Sequence, residues 1–227
     1  MDIVEAVNKR KSIRSYKSDP VPKEVLQELM ELALRAPSWA NTQPWEFAIV
    51  SGTKLEEIRQ GFIQRGETEQ SPDLARPRGF PEPYNSRRRT LSRRDADVMK
   101  LGQKDEDGDR WRRLRGSRLY DAPCVIIIYT DRSLYQQEDN LNVWPVFDCG
   151  LIAENIMLLA VKFGLGTLPA IQIVKYPDVL RSVLGIPDSK LIVLGIGIGY
   201  PDWDYPLNQA YSQREPLDNV ARWYGFD

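Results

Sequence analysis

DCGLIAENIMLLAVKFGLGTLPAIQ, residues 148–172, carries only Glu154, Asn155 and Lys162 as charged or amide interruptions between Cys149 and Phe163. A helix over Asp148–Phe163 is apolar on nearly every side, with Leu151, Ile152, Ile156, Met157, Leu158, Leu159 and Val161 spread around it. Such a helix needs cover all round, from its own domain or from a second subunit. Gly164 and Gly166 are predicted to close it, and Thr167–Val174 to follow as a strand. Working outward, Ala122–Tyr129 and Lys190–Ile198 are apolar, β-branched runs that fit buried strands. Pro177–Leu184 lies between them as a short amphipathic helix capped by Gly185.

The N-terminal part continues the alternation. Asp2–Arg10 reads as a short helix. Pro22–Arg35 is a longer one, with Val25, Leu26, Leu29, Leu32 and Ala33 at helical spacing, Pro22 in its first turn and Pro37 ending it. Trp45–Ser51 is predicted as a strand, and Thr53 with Glu56 as a capping box opening a helix over Thr53–Phe62. The tail from Pro201 is rich in Tyr and Trp without periodicity, so it wraps over something rather than forming a core. A chain of 227 residues fits one domain, 1–227. Within it, residues 62–118 read as an Arg- and Pro-rich insertion or lid. That segment holds 15 basic against 10 acidic residues, whereas the rest holds 16 against 22.

Composition removes several chemistries. The sequence has no His, which excludes Ser-His-Asp and Cys-His nucleophile systems and any His metal ligand; no metal site is expected. Cys124 and Cys149 sit in apolar runs and read as core thiols of a reducing compartment. A catalyst built this way needs carboxylates, Lys, Tyr, Cys or a cofactor with its own chemistry. The net charge of −1 and the acids interspersed in the Arg-rich segment argue against a nucleic-acid partner. The runs 122–129 and 191–200 are too short to span a membrane. The N-terminus lacks the apolar stretch of a signal peptide, so a cytoplasmic location is expected.

Four clusters remain. In Arg10-Lys11-Ser12-Ile13-Arg14, extended backbone puts Arg10, Ser12 and Arg14 on one side; two guanidiniums around a hydroxyl suit an anion, and a solvated basic turn is the other reading. Ala36-Pro-Ser-Trp-Ala-Asn-Thr-Gln-Pro-Trp45 sets small polar groups beside flat aromatic walls, which suits a planar heterocycle or an ordinary Asn turn with its Trp on the core. Gly164-Leu-Gly-Thr-Leu-Pro-Ala-Ile-Gln172 permits close backbone approach to a ligand. Arg214 is a lone tail arginine. Gly195, Gly197 and Gly199 alternate inside a strand and read as close sheet packing, not a dinucleotide fingerprint. Ser51-Gly-Thr-Lys54 reads as turn and cap chemistry, not an acyl-transfer motif.

In this order, Arg10-Lys-Ser-Ile-Arg14, Ala36-Pro-Ser…Asn41-Thr-Gln-Pro-Trp45-Glu-Phe47, Asp148-Cys-Gly-Leu-Ile-Ala-Glu-Asn155, Gly164-Leu-Gly166, Leu184-Gly-Ile-Pro187 and Arg214-Glu-Pro-Leu217 resemble the nitroreductase family of flavoproteins. The resemblance covers residues 1–60 and 120–220. It implies an α+β fold, a central mostly antiparallel sheet flanked by helices, in an intertwined homodimer with FMN at the interface. It implies NADH or NADPH as donor and nitroaromatic, quinone or related aromatic acceptors, reduced in ping-pong fashion. The same fold also hosts dehalogenation, flavin fragmentation and metabolite dehydrogenation, and no residue chooses among them.

The resemblance places Arg10, Lys11, Ser12 and Arg14 at the FMN. Arg10 and Arg214 hold its phosphate, and Arg14 the ribityl chain or pyrimidine edge. Pro37, Ser38, Trp39, Asn41 and Gln43 come from the second subunit, Gln43 either touching FMN or bracing the loop. Pro169, Ala170, Ile171 and Gln172 run beside the ring. The sequence departs from some relatives at Ile171 or Gln172, where they carry an acid, and at Ser212, where they carry Lys. Tyr84, Arg88, Trp144 and Phe147 are the candidates for substrate contact. No catalytic side chain is expected, because the flavin does the chemistry.

Overall fold

A computed structural model describes residues 1–66, 70–75, 77–101, 114–137 and 140–226. Its main sheet has four strands: β1 (Glu46–Ser51), β2 (Cys124–Asp131), β3 (Gly166–Ala170) and β4 (Lys190–Gly199). They lie in the order β1-β2-β4-β3, each neighbouring pair antiparallel. The helices are α1 (Ile3–Lys9), α2 (Lys23–Ala33), α3 (Gly52–Arg65), α4 (Tyr84–Val98), α5 (Trp144–Lys162) and α6 (Pro177–Leu184).

Both faces of the sheet are covered, which is why β2 reads as a continuous apolar run rather than an alternating one. Cys124, Ile126, Ile128, Ile196 and Ile198 pack under α2 and α5. On the other face, Val125, Ile127, Leu168 and Ile192 meet α3 and α6 through Leu55, Ile58, Phe62 and Leu180. The alternating glycines of β4 serve close packing as expected. A Cβ on Gly195 would lie 2.1 Å from Ile173, and one on Gly199 2.5 Å from Pro123.

Several expectations need correction. Helix α5 begins at Trp144 with Pro145 in its first turn, one turn before the predicted start at Asp148. It is also long and apolar enough to cross a membrane by composition, with a hydropathy of 1.5. A search for uninterrupted apolar runs missed this because Asp148 and Glu154 break the run without breaking the helix. Cys149, Ile152, Ala153, Ile156 and Ala160 pack into the α2 core instead. Only Gly164 turns the chain, at φ +71°. Gly166 belongs to β3, where a Cβ would meet Ile13 at 2.4 Å.

The strand predicted to reach Val174 stops at Ala170, and Ile171–Val174 forms a 3-10 turn that buries Ile173. Beyond that point β4 loses β3 as a partner, and Asp73 takes its place by accepting from the Ile192 amide at 2.8 Å. The capping box does not form. The chain enters α3 through Gly52 at φ +58°, Ser51 stands at the N-cap, and no side chain caps the helix. Glu56 accepts from Gln60 and Arg59 instead. Within residues 62–118, read from composition as an insertion or lid, α4 occupies fifteen residues. Residues 67–69, 76 and 102–113 of that segment lie outside the described residues.

Candidate functional site

The site is built on the edge of the sheet. Residues 12–13 lie on the free side of β3 and 16–17 pair with the residues after β4: Ser12 pairs in parallel with Thr167 and Tyr16 antiparallel with Pro201, and the Ile13 amide donates to the Thr167 carbonyl at 2.9 Å. Ile13 is buried against Gly166, so side-chain alternation sends its neighbours outward. Arg10 lies near Glu154 of α5, with Nε 3.5 Å from the carboxylate. Arg14 points to α4, with Nη2 4.0 Å from Asp95 and Nη1 donating to the Ser12 carbonyl at 3.3 Å. Lys11 goes the other way. Its ammonium sits over the rings of Tyr211 and Trp203, at 3.7 and 5.3 Å. Lys11 and Ile13 line a hollow of about 420 Å³ with Gly164, Leu165 and Trp203. Lys11 is therefore not brought to the side of Arg10 and Arg14, a correction that follows from the period-2 backbone.

Arg10 also shows how well this strip suits an anionic group. Its side chain is 17% exposed, yet among the described residues its guanidinium makes no hydrogen bond, and Glu154 sits beyond hydrogen-bond distance. The guanidinium is paired only with Glu154 among these residues, and its other N–H donors are open to an anion. A phosphate has oxygens spaced for the Arg fork.

The 36–45 loop is held by its own chain. The Trp39 amide donates to Asp148 at 3.1 Å, and the Gln43 amide to the Ser38 hydroxyl at 2.9 Å. The Gln43 side chain donates to the Asn41 carbonyl at 3.3 Å, so Gln43 braces the loop. Ala40, Asn41 and Gln43 all take positive φ, between 47° and 57°. Three such residues in four persist only where the surroundings over-determine them. Trp45 packs in the core, but Trp39 is 61% exposed and is not the core residue that an ordinary turn would make it. Pro37 and Asn41 are exposed beside it. At the end of β3, Pro169 and Gln172 are half-buried, Ala170 is buried and Ile171 is exposed.

The tail returns Asn208 to the strip. This fully buried side chain accepts from the Arg14 amide at 2.7 Å and donates to the carbonyls of Ser15 and Asp202. Arg115 donates to the Arg14 carbonyl at 2.7 Å. Burial pushes the hydroxyls of Tyr16, Tyr120 and Tyr205 above the ordinary phenol range, while the charges of Arg14 and Arg115 oppose the shift. All three stay neutral donors at neutral pH. Burial likewise pushes the thiols of Cys124 and Cys149 up to about 12, which leaves no reactive thiolate there.

The structure does not join Arg214 to Arg10. Among the described residues Arg214 hydrogen-bonds only the carbonyls of Ser212 and Gln213. The neighbouring tail residues bind α4: Arg87 pairs with Glu215 at 2.9 Å, and Arg94 donates to Ser212 at 3.1 Å. Of the substrate candidates, Trp144 and Phe147 meet edge to face at 5.7 Å at the start of α5. Tyr84 and Arg88 share an exposed stripe of α4, four residues apart. No bond or ring contact joins the two pairs among the described residues. Asn208, Arg115 and Asp95 were not anticipated. Each acts on a residue 81 to 194 positions away, and no local pattern carries such a pairing.

The chain is similar to known proteins over nearly its whole length. The chain is 30% identical over 225 residues to the chloronitrobenzene nitroreductase of Comamonas testosteroni, covering 96% of this chain and 95% of that one. It is 29% identical over 218 residues to the 4-nitrobenzoate reductase of Nocardioides sp. strain LMS-CY, covering 93% and 85%. Its fold superposes on the FMN- and NADPH-dependent nitroreductase NfnB of Sphigopyxis sp. strain HMH with a TM-score of 0.92, at 27% identity and full coverage of both chains. The sequence profile of the nitroreductase family matches residues 7–200, and the chain belongs to that family.

Proposed function

We propose that this protein is an FMN-dependent oxidoreductase that takes electrons from NADH or NADPH and delivers them to nitroaromatic, quinone or related aromatic acceptors. The observation that carries the reading is the Arg10 guanidinium, paired among the described residues only with Glu154 at 3.5 Å and set on a strip fixed against β3. FMN, when bound, supplies the two-electron chemistry. The chain's own residues bind and orient. Arg10 holds the phosphate, with Arg214 as its second guanidinium. Ser12 and Arg14 line the ribityl chain and pyrimidine edge, where a fixed positive charge favours negative charge on the ring. Pro169 to Gln172 run beside the ring. Donor and acceptor then use one open face in turn, which gives ping-pong kinetics. Trp144 and Phe147 on α5, and Tyr84 and Arg88 on α4 within the insertion, are the residues offered to the acceptor.

We also propose a homodimer, with Pro37, Ser38, Trp39 and Asn41 facing the partner's cofactor. In one protomer only 44% of the most apolar window of α5 is buried. Ile3, Val4, Val7, Trp39, Trp144 and Phe147 are each at least half exposed, apolar surface that a second copy would cover. The free thiols fit the reducing cytoplasm. The test is an absorbance spectrum of the purified protein followed by anaerobic titration with NADH and NADPH. Flavin bands that bleach, and return on adding a nitroaromatic acid, are expected. Colourless protein that does not retain added FMN refutes the proposal.

A further inference from the structure

Arg14 is held from three directions. Asn208 takes its amide, Arg115 takes its carbonyl, and its guanidinium lies between the Ser12 carbonyl and Asp95. Asp95 is the only one of these partners on α4, and the only carboxylate within ion-pair distance of Arg14 among the described residues. It is itself gripped by Arg94, whose Nε donates to it at 3.0 Å and whose Nη2 makes a second, shorter contact. The remaining arm of Arg94 reaches Ser212 in the tail. A continuous path thus runs from Arg14 through Asp95 and Arg94 to Ser212. It ties the N-terminal strip, α4 and the segment carrying Arg214 into one network. The side chains of Arg14, Asp95 and Arg94 are 20%, 24% and 22% exposed, so their charges couple more strongly than in bulk water.

We propose that Asp95 is a positioning residue for the cofactor. It aims the Arg14 guanidinium and offsets part of its charge, and so sets how much more tightly reduced FMN is held than oxidised FMN. Arg94 keeps Asp95 in place and links that setting to the tail. The proposal rests on the reading of Arg14 as an FMN-edge residue. Arg115, Asp121, Tyr120 and Tyr205 also face this cluster. Of these, Arg115 pairs with Asp121 at 3.0 Å and the tyrosines are neutral; Asp95 is shared between Arg94 and Arg14 and is the one carboxylate within ion-pair distance of Arg14 among the described residues.

The test is the two-electron midpoint potential of the FMN-loaded enzyme, by anaerobic dye-coupled titration, with FMN affinity measured on the same proteins. Asp95→Asn keeps the shape and removes the charge. It is expected to raise the preference for reduced over oxidised FMN about fivefold, an upward shift of about 20 mV, since tenfold is about 30 mV for two electrons. Asp95→Glu is expected to stay near the parent value. In an Arg14→Gln background, Asp95→Asn is expected to shift the potential clearly less, because the guanidinium it aims is gone and only its own charge still acts on the ring. Equal shifts in both backgrounds, or none in either, overturn the proposal while leaving the FMN reading intact. If Arg14→Gln changes neither potential nor FMN affinity, Arg14 is not at the flavin, and both readings fall.

Discussion

The two arginine-bearing segments assigned to the cofactor's phosphate are built in opposite ways. The strip at residues 10–14 is fixed within one protomer, by a bridge to β3, by Ile13 packed on Gly166 and by Asn208 on the Arg14 amide. The tail around Arg214 touches the rest of its protomer mainly through side-chain bonds to α4, and it leaves Leu217, Val220, Trp223, Tyr224 and Phe226 exposed. Half of the grip is thus preorganised by the fold. The other half carries exposed apolar and aromatic surface, which under the proposed homodimer is what a second copy would cover.

Removing the tail breaks the comparison most severely. A chain ending at Ala210 keeps the β3 bridge, the Ile13–Gly166 packing and Asn208, and loses only the Lys11–Tyr211 ring contact of the strip, so its secondary structure is expected to survive. It is also expected to elute as a monomer and to retain no FMN, by light scattering and flavin absorbance. A dimer of normal size would show that the tail is a passive extension. On the strip side, Gly166→Ala forces a methyl group into Ile13 and Pro201. It is expected to cost about 1–3 kcal/mol in urea denaturation and to loosen FMN as the strip is displaced; unchanged stability would mean that the strip is not seated as described.

A finer contrast lies within the strip. Arg10→Met is expected to weaken FMN about 10- to 100-fold, the scale of a lost charge-assisted bond. Lys11→Met, one residue away on the opposite side, is expected to leave FMN affinity unchanged and to cost about 0.5–1 kcal/mol of cation–π stabilisation. Equal losses would erase the distinction between the two sides. The smallest effect concerns pH. The thiols of Cys124 and Cys149 are raised from 9.0 to about 12 by burial. Their neutral forms favour the fold fully below about pH 9, and the contribution declines as pH rises towards 12. Denaturation midpoints are expected to fall over that window at constant salt, and a flat profile would deny the burial of these thiols.

The elements that sequence revealed are those whose partners lie in every direction. The helix around Ile152 and Ile156 and the run Val125–Ile128 are apolar because both faces of the sheet are covered, and that shows in composition alone. The alternation of Arg10, Ser12 and Arg14 was legible for the same local reason. What was hidden depends on pairs far apart in the chain. Asp73 completing the edge of β4, Asn208 holding Arg14 and Asp95 facing it join residues separated by 81 to 194 positions. Helix α4 was hidden too, because it buries little apolar surface, and three of its five arginines bind the tail, Asp95 and Asn85. Lys11 was assigned to the cofactor with its neighbours because a motif groups residues that the backbone then turns to opposite sides.

The most direct test is a crystal structure of the protein grown with FMN. The account predicts two chains per cofactor pair, each FMN phosphate bonded to the guanidinium of Arg10 and the loop 37–41 of the other chain against the flavin. A lone protomer, or a flavin whose phosphate lies away from Arg10, would contradict it.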